Sequence, residues 1–145
     1  MYSLKFKLIY HASKDGNTVA KFHENCDNKG ATIVIIKVTN SERIIGGYNP
    51  LQWDSSSFNN STKDSFIFSF TSVTNLQSAR VGYSNGDRYS ICCYKLNGPS
   101  FGKGDIWCNY GTWSSNSSSS YSYLNIGIPS SFNVDDYEVF QVIKK

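Results

Sequence analysis

Six side chains of this sequence are of the types that serve as nucleophiles, bases or soft metal ligands: His11, His23, Cys26, Cys92, Cys93 and Cys108. Nucleophilic catalysis needs a base that a third group holds in orientation. Neither histidine stands near a G-x-S-x-G or Cys-Gly signature. His23 falls beside Phe22 on a predicted helix and His11 follows a predicted strand, so both are expected as surface or edge histidines. Zinc is no better served, because the chain has no C-x-x-C. Cys92 and Cys93 are neighbours on a predicted strand, which sends one side chain to the core and the other outward. A reactive thiol needs exposure and a depressed pKa. No cysteine has a basic residue next to it, and buried, inert thiols rather than reactive ones are the expectation. With no secretory leader in view, they are expected to be reduced and the protein cytoplasmic. The sequons around Asn59/Asn60 and at Asn116 then mark only Ser/Asn loops.

Phosphate and carboxylate chemistry are equally thin. Gly98–Asp105 is rich in glycine, but it misses the G-x-x-x-x-G-K-[ST] spacing and leads into the strand-like Ile106-Trp107-Cys108. A phosphate cradle needs the start of a helix there, so the stretch reads as a turn that lets two sheets approach. Only three glutamates exist (Glu24, Glu42, Glu138), which leaves a paired-carboxylate hydrolase dependent on aspartate. Asp135-Asp136 is expected to end a loop and to discourage edge pairing. The net charge of +3, from 14 Lys+Arg and 11 Asp+Glu, is scattered, whereas nucleic-acid readers gather cations into a stripe. The longest apolar run, Ile33–Ile36, is far below the roughly 20 residues of a membrane span. No nucleic acid, membrane insertion, metal or cofactor is therefore expected.

The elements that would position these residues are mostly strands. The chain has 145 residues, room for a single domain, and its 9 Phe, 10 Tyr and 3 Trp supply core mass that its aliphatic content does not. Leu4, Phe6 and Leu8 alternate with Lys5 and Lys7, predicting a half-buried strand to about Tyr10. Val19, Phe22 and Cys26 recur at helical spacing, predicting a helix over Asn17–Asn25 that exits through Gly30. Ala31–Val38 is dominated by β-branched residues and reads as a strand buried on both faces, with Arg43–Tyr48 as its hairpin partner. Ser65–Phe70 places three phenylalanines on one face. Further strands are expected near Ala79–Tyr83, Arg88–Tyr94, Asp105–Asn109 and Tyr137–Ile143, with Ser55–Lys63 a loop and Ser114–Ser122 a mobile serine loop. About eight short strands and one clear helix predict a mainly β, antiparallel two-sheet sandwich flanked by one or two short helices.

In this order the segments resemble the TLDc domain family. The resemblance rests on Leu8–Gly16, Phe22-His23, Cys26–Gly30, Ile45-Gly46-Gly47-Tyr48 with Trp53-Asp54, Ser65–Phe70, Phe101–Trp107 and Val134–Phe140. It spans nearly the whole chain, in the style of BTB-associated TLDc proteins of fungi and amoebae. It implies a β-sandwich with short helices, an association with oxidative-stress resistance and, as in several animal members, binding to the vacuolar proton-pumping ATPase. It implies no catalytic mechanism and no cofactor. A substrate-recruiting module of a BTB-type ubiquitin-ligase assembly is an alternative, and a cysteine-dependent peroxide-consuming enzyme is another. The family's usual helical stretch before the first strand is expected to be missing. His11 stands where relatives often have Arg, and Trp113–Ser122 is richer in serine than usual. The family-motif or partner-contact candidates are Gly46, Gly47, Trp53, Asp54, Gly102, Gly104, Asp105 and Trp107. A side chain at Gly46 or Gly47 is expected to collide with a neighbouring strand or loop. Trp53 and Trp107 are expected as core anchors or partner contacts, and Asp54 and Asp105 as local backbone hydrogen-bonders.

Overall fold

A computed structural model describes residues 3–72, 74–115 and 122–145, so the central part of the serine loop, with Asn116, lies outside the described residues. The chain runs β1 (Leu4–His11), α1 (Ala12–Asp15), α2 (Val19–Cys26), β2 (Thr32–Val38), β3 (Ile44–Asn49), β4 (Phe58–Asn60) and β5 (Phe66–Phe70). A short 3-10 turn (Leu76–Ser78) precedes β6 (Arg80–Tyr83), β7 (Ile91–Cys93), β8 (Trp107–Asn109), β9 (Thr112–Ser114), β10 (Ser131–Phe132) and β11 (Val134–Lys144). Six strands form one antiparallel sheet in the order β1-β11-β2-β3-β5-β6. The second layer is split into a three-stranded sheet, β10-β9-β8, and a two-stranded one, β4-β7. The fold is β-rich and antiparallel, as the periodicity predicts.

The core lies between these layers. From the large sheet come Tyr10, Val34, Ile36, Ile45, Tyr137 and Val139, met by Phe22 and Cys26 of α2 and by Phe101, Ile106, Trp113 and Tyr123 from the opposite side. Helix α2 starts where Thr18 Oγ1 accepts the Lys21 N–H at 3.1 Å, the usual way to satisfy a first-turn donor. The chain leaves it through Asn28 and Gly30, both left-handed at φ 60° and 70°.

Several expectations need correction, and one physical cause accounts for most of them: the second layer covers only one face of the large sheet. β2 is not buried on both faces. Its Thr32, Val34, Ile36 and Val38 point inward, while Ile33 and Ile35 are half-exposed on the other side. The three phenylalanines of β5 do share a face, but it is the outer one, and Ile67 and Ser69 are the residues turned to the core. β1 is an edge strand, so Leu4, Phe6 and Leu8 stay 53, 55 and 45 % exposed, and only Tyr10 reaches the interior. Asp135 and Asp136 do not end a loop at an edge: they belong to β11, which lies between β1 and β2. Strands β4, β9 and β10 and helix α1 were not foreseen, being only two to four residues long.

Candidate functional site

At the junction of β1 and α1, His11, Ser13 and Asp136 converge. His11 Nε2 lies 2.6 Å from Asp136 Oδ2, and the Ser13 hydroxyl donates to that oxygen at 2.7 Å. Ser13 N–H donates to the other carboxylate oxygen at 3.0 Å, while its Oγ is 3.1 Å from His11 Nε2. The residue types are those of a serine hydrolase, but the geometry is not. A general base must meet the nucleophile through one ring nitrogen and the carboxylate through the other. Here Nε2 meets both, and the serine proton is already given to the carboxylate. Desolvation opposes ionisation of Asp136, yet the hydrogen bonds from Ser13 and His11 prevail and hold its carboxyl below the usual range. The cluster clamps α1 onto β11.

His23 is buried rather than at the surface. Its Nδ1 lies 2.7 Å from Asp27 Oδ1, and its Nε2 N–H donates to the carbonyls of Asn97 (2.8 Å) and Tyr94 (3.0 Å). Both nitrogens are engaged, so the ring fixes the 94–97 loop from below. Cys26, Cys92, Cys93 and Cys108 are all free and all buried. Both members of the Cys92–Cys93 pair are inside, because each face of β7 is covered by a different segment: Cys92 Sγ lies 3.3 Å from the Gly102 carbonyl and Cys93 Sγ 3.6 Å from the Gln52 carbonyl. Burial pushes the Cys92 thiol up to about 12 and those of Cys93 and Cys108 to about 11, and raises Cys26 as well. Among the described residues no three His, Cys, Asp or Glu side chains gather as metal ligands would.

Gly47 and Trp53 meet around one ring, that of Phe101. Gly46 and Gly47 are adjacent on β3 and so face opposite sides. A Cβ at Gly47 would lie 2.6 Å from Cζ of Phe101 on the inner side, and one at Gly46 would strike the Val34 carbonyl oxygen and the ring of Phe68 on the outer side. Phe68 is the direct cross-strand partner of Gly46, an aromatic laid over a strand glycine. Phe101 in turn meets Trp53 edge-on, with centroids 5.4 Å apart, and Trp53 meets Phe22 at 5.7 Å. The Trp53 indole N–H donates to Thr32 Oγ1 at 2.9 Å, so this core tryptophan has its polar atom satisfied. Asp54 accepts the Ser56 N–H at 2.9 Å, a local turn.

The loop from Phe101 to Ile106 is closed by a reciprocal backbone pair, Phe101 N–H to Ile106 O at 2.8 Å and Ile106 N–H to Phe101 O at 3.0 Å. Gly102 and Gly104 supply its left-handed positions, at φ 74° and 100°. A side chain at Gly102 would run into the Asp105 carboxylate. Asp105 is buried, and besides its own backbone it engages a distant segment, accepting the Ser122 N–H at 3.2 Å. Desolvation raises its carboxyl to about 6, against the hydrogen bonds from the 122–123 backbone and with help from the Asp87 charge.

Trp107 lines a groove, and it is half-buried rather than a core anchor. Its ring lies 6.2 Å from that of Tyr94, along an open groove of about 630 Å³ that Leu96 and Tyr110 also line. Leu96 is 54 % and Tyr110 70 % exposed. Tyr110 and Gly111 form the tip of the β8–β9 hairpin, closed by the Asn109–Thr112 pair, with φ of 53° and 88°. Such a two-residue turn favours Asn or Gly at both positions. A tyrosine in the left-handed region is costly, and an outlier of that kind points to function. The one local signal for it in the sequence is an aromatic residue just before Gly111.

None of the curated proteins compared matches the chain. The family model for the TLDc domain matches residues 2–143, all but three residues of its length. The TLDc domain is associated with oxidation resistance. The motif residues that suggest this assignment build the core junction of β3, Trp53 and the Phe101 loop, and the protein belongs to the TLDc domain family.

Proposed function

We propose that the protein is a cytoplasmic, non-enzymatic interaction module in oxidative-stress resistance that docks on the vacuolar proton-pumping ATPase. The observation that carries this reading is Tyr110, held at a hairpin tip in a conformation that disfavours tyrosine, beside Trp107 and Leu96. Aromatic anchors of this kind dominate protein interfaces. The chemistry-bearing groups point the same way: the thiols are buried with raised pKa values, and both histidines are tied into structural hydrogen bonds. No helix among the described residues is long and apolar enough to cross a membrane, which suits docking on the pump better than insertion beside it.

The test is affinity purification of the native protein beside a Tyr110→Asn variant. Asn is favoured at that turn position, so the variant is expected to melt no lower than the parent. It is also expected to lose pump subunits from the captured material. Recovery of ubiquitin-ligase subunits in place of pump subunits overturns the choice of partner. Peroxide turnover by purified protein that one Cys→Ser change abolishes overturns the non-enzymatic reading.

A further inference from the structure

The free edge of β1 joins two features that the rest of the fold does not explain. Its inner neighbour is β11 and, among the described residues, nothing pairs with its other side. An edge strand offers a row of unpaired N–H and C=O groups, the template on which an extended segment can add. On the outer face of this edge, Leu4, Phe6 and Leu8 are exposed. They continue a band across the sheet: the register aligns Leu8, Phe140, Ile33, Tyr48, Phe66 and Tyr83 in one row through all six strands. Beside that row, Leu4, Phe6 and Val142 open onto a groove of about 680 Å³. On the other face of the same edge, Lys5 and Lys7 are exposed, and neither has an ion pair among the described residues.

We propose that β1 is a strand-addition site for an extended segment of another protein in which apolar and acidic residues alternate. This deepens the interaction-module reading and rests on it. Side chains of an added strand alternate between faces. Apolar ones would extend the band beside Leu4, Phe6 and Leu8, while every second one falls beside Lys5 or Lys7, where a carboxylate is favoured. A second copy of this chain is a poor occupant. Two β1 strands pairing antiparallel about Phe6 set Lys5 against Lys7 twice, and like charges directly opposite destabilise a pair. Edge lysines are also a general guard against self-association. A purely protective edge would not carry three exposed large apolar residues on its other side. The bulge between Leu8 and Tyr10 ends the regular edge and limits the site to the Leu4–Leu8 stretch.

The test uses two capped peptides, TVEVEVT and TVKVKVT, titrated into the native protein with calorimetry and amide hydrogen exchange. The acidic peptide is expected to bind at least about tenfold more tightly than the basic one, weakening with salt, and to slow exchange at Lys5–Leu8. The Lys5→Glu/Lys7→Glu variant keeps its melting temperature and reverses the preference. An N-methylated acidic peptide that cannot donate to the edge binds at least about tenfold more weakly. Equal affinity for both peptides, binding of neither, or a dimer broken by the β1 variant overturns the proposal. In the native protein, pump capture without peptide binding overturns strand addition alone, whereas peptide binding without pump capture overturns the choice of partner alone.

Discussion

At Gly47 the absent side chain is the space that the Phe101 ring fills, and at Gly46 the same absence admits Phe68 from the other side. Gly47→Ala therefore overpacks the core beside an edge-stacked aromatic pair and is expected to cost about 1–3 kcal/mol in denaturant unfolding. Gly46→Ala is expected to cost at least as much, since the atom it meets first is the rigid Val34 carbonyl. Gly30 separates space from conformation, because a Cβ there meets nothing within 4 Å. Its substitution should cost only the left-handed backbone penalty, about 1 kcal/mol for Ala and less for Asn. Asp105 makes a different prediction. Its carboxyl is raised from 3.8 to about 6 by burial, so the folded state holds a proton that the unfolded chain releases earlier. Stability from this group is complete below pH 3.8 and falls as pH rises through about 6. The loss is on the order of 3 kcal/mol, at about 1.4 kcal/mol for each tenfold change in the proton equilibrium. Asp105→Asn, which keeps an acceptor for Ser122 N–H, should flatten the melting temperature between pH 4 and 6 and leave the variant at least as stable at pH 7.

For the elements, what the sequence discloses depends on how local the cause is. α2 is legible because its apolar stripe lies within one short stretch; its cap is Thr18, inside the Asn17–Asn25 span expected to be helical, and Thr18→Ala should cost about 1 kcal/mol of thermal stability. The pairing of β2 with β3 is legible for the same reason, since a short turn joins two apolar runs. What escapes is whatever a distant segment decides. β1 alternates as a half-buried strand does, but its position at the sheet edge is set by β11, at the far end of the chain. Residues 11 and 136 are 125 positions apart, so nothing near either one announces the clamp of His11 and Ser13 on Asp136. That clamp has a pH signature of the opposite sign to Asp105. With its folded carboxyl below the ordinary 3.8, Asp136 stabilises above that value, and the contribution is lost as pH falls through the lower folded value. Asp136→Ala is expected to shorten the stable range least at the acid end and to lower the melting temperature at neutral pH, measured by calorimetry across pH. Gly102 and Gly104 are legible as turn glycines because their conformation is set within their own loop, whereas what Gly46 and Gly47 meet, Phe68 and Phe101, lies in other segments. Tyr110 is not legible, because its oddity is a torsion angle.

Taken as a whole molecule, the protein is a sheet with one face sealed and the other open. All four thiols are buried, Cys26, Cys93 and Cys108 within the core that holds Trp53, Phe22 and Phe101, and Cys92 beside the Phe101 loop with its Sγ 3.3 Å from the Gly102 carbonyl. A thiol so placed can meet a reagent only when that core opens, since its thiolate is disfavoured and its sulfur is out of contact with water. This separates a docking module from a peroxide-consuming enzyme without reference to any partner. Native protein treated with a disulfide reagent at mildly alkaline pH is expected to show no fast-reacting thiol, and all four should react in concentrated guanidinium chloride. The slow native reaction should accelerate in step with destabilisation, so that Gly47→Ala labels faster than the parent by the same factor as its shift in unfolding equilibrium. A single cysteine labelling rapidly in the parent, at a rate indifferent to that substitution, would place a reactive sulfur at the surface and return the molecule to redox chemistry.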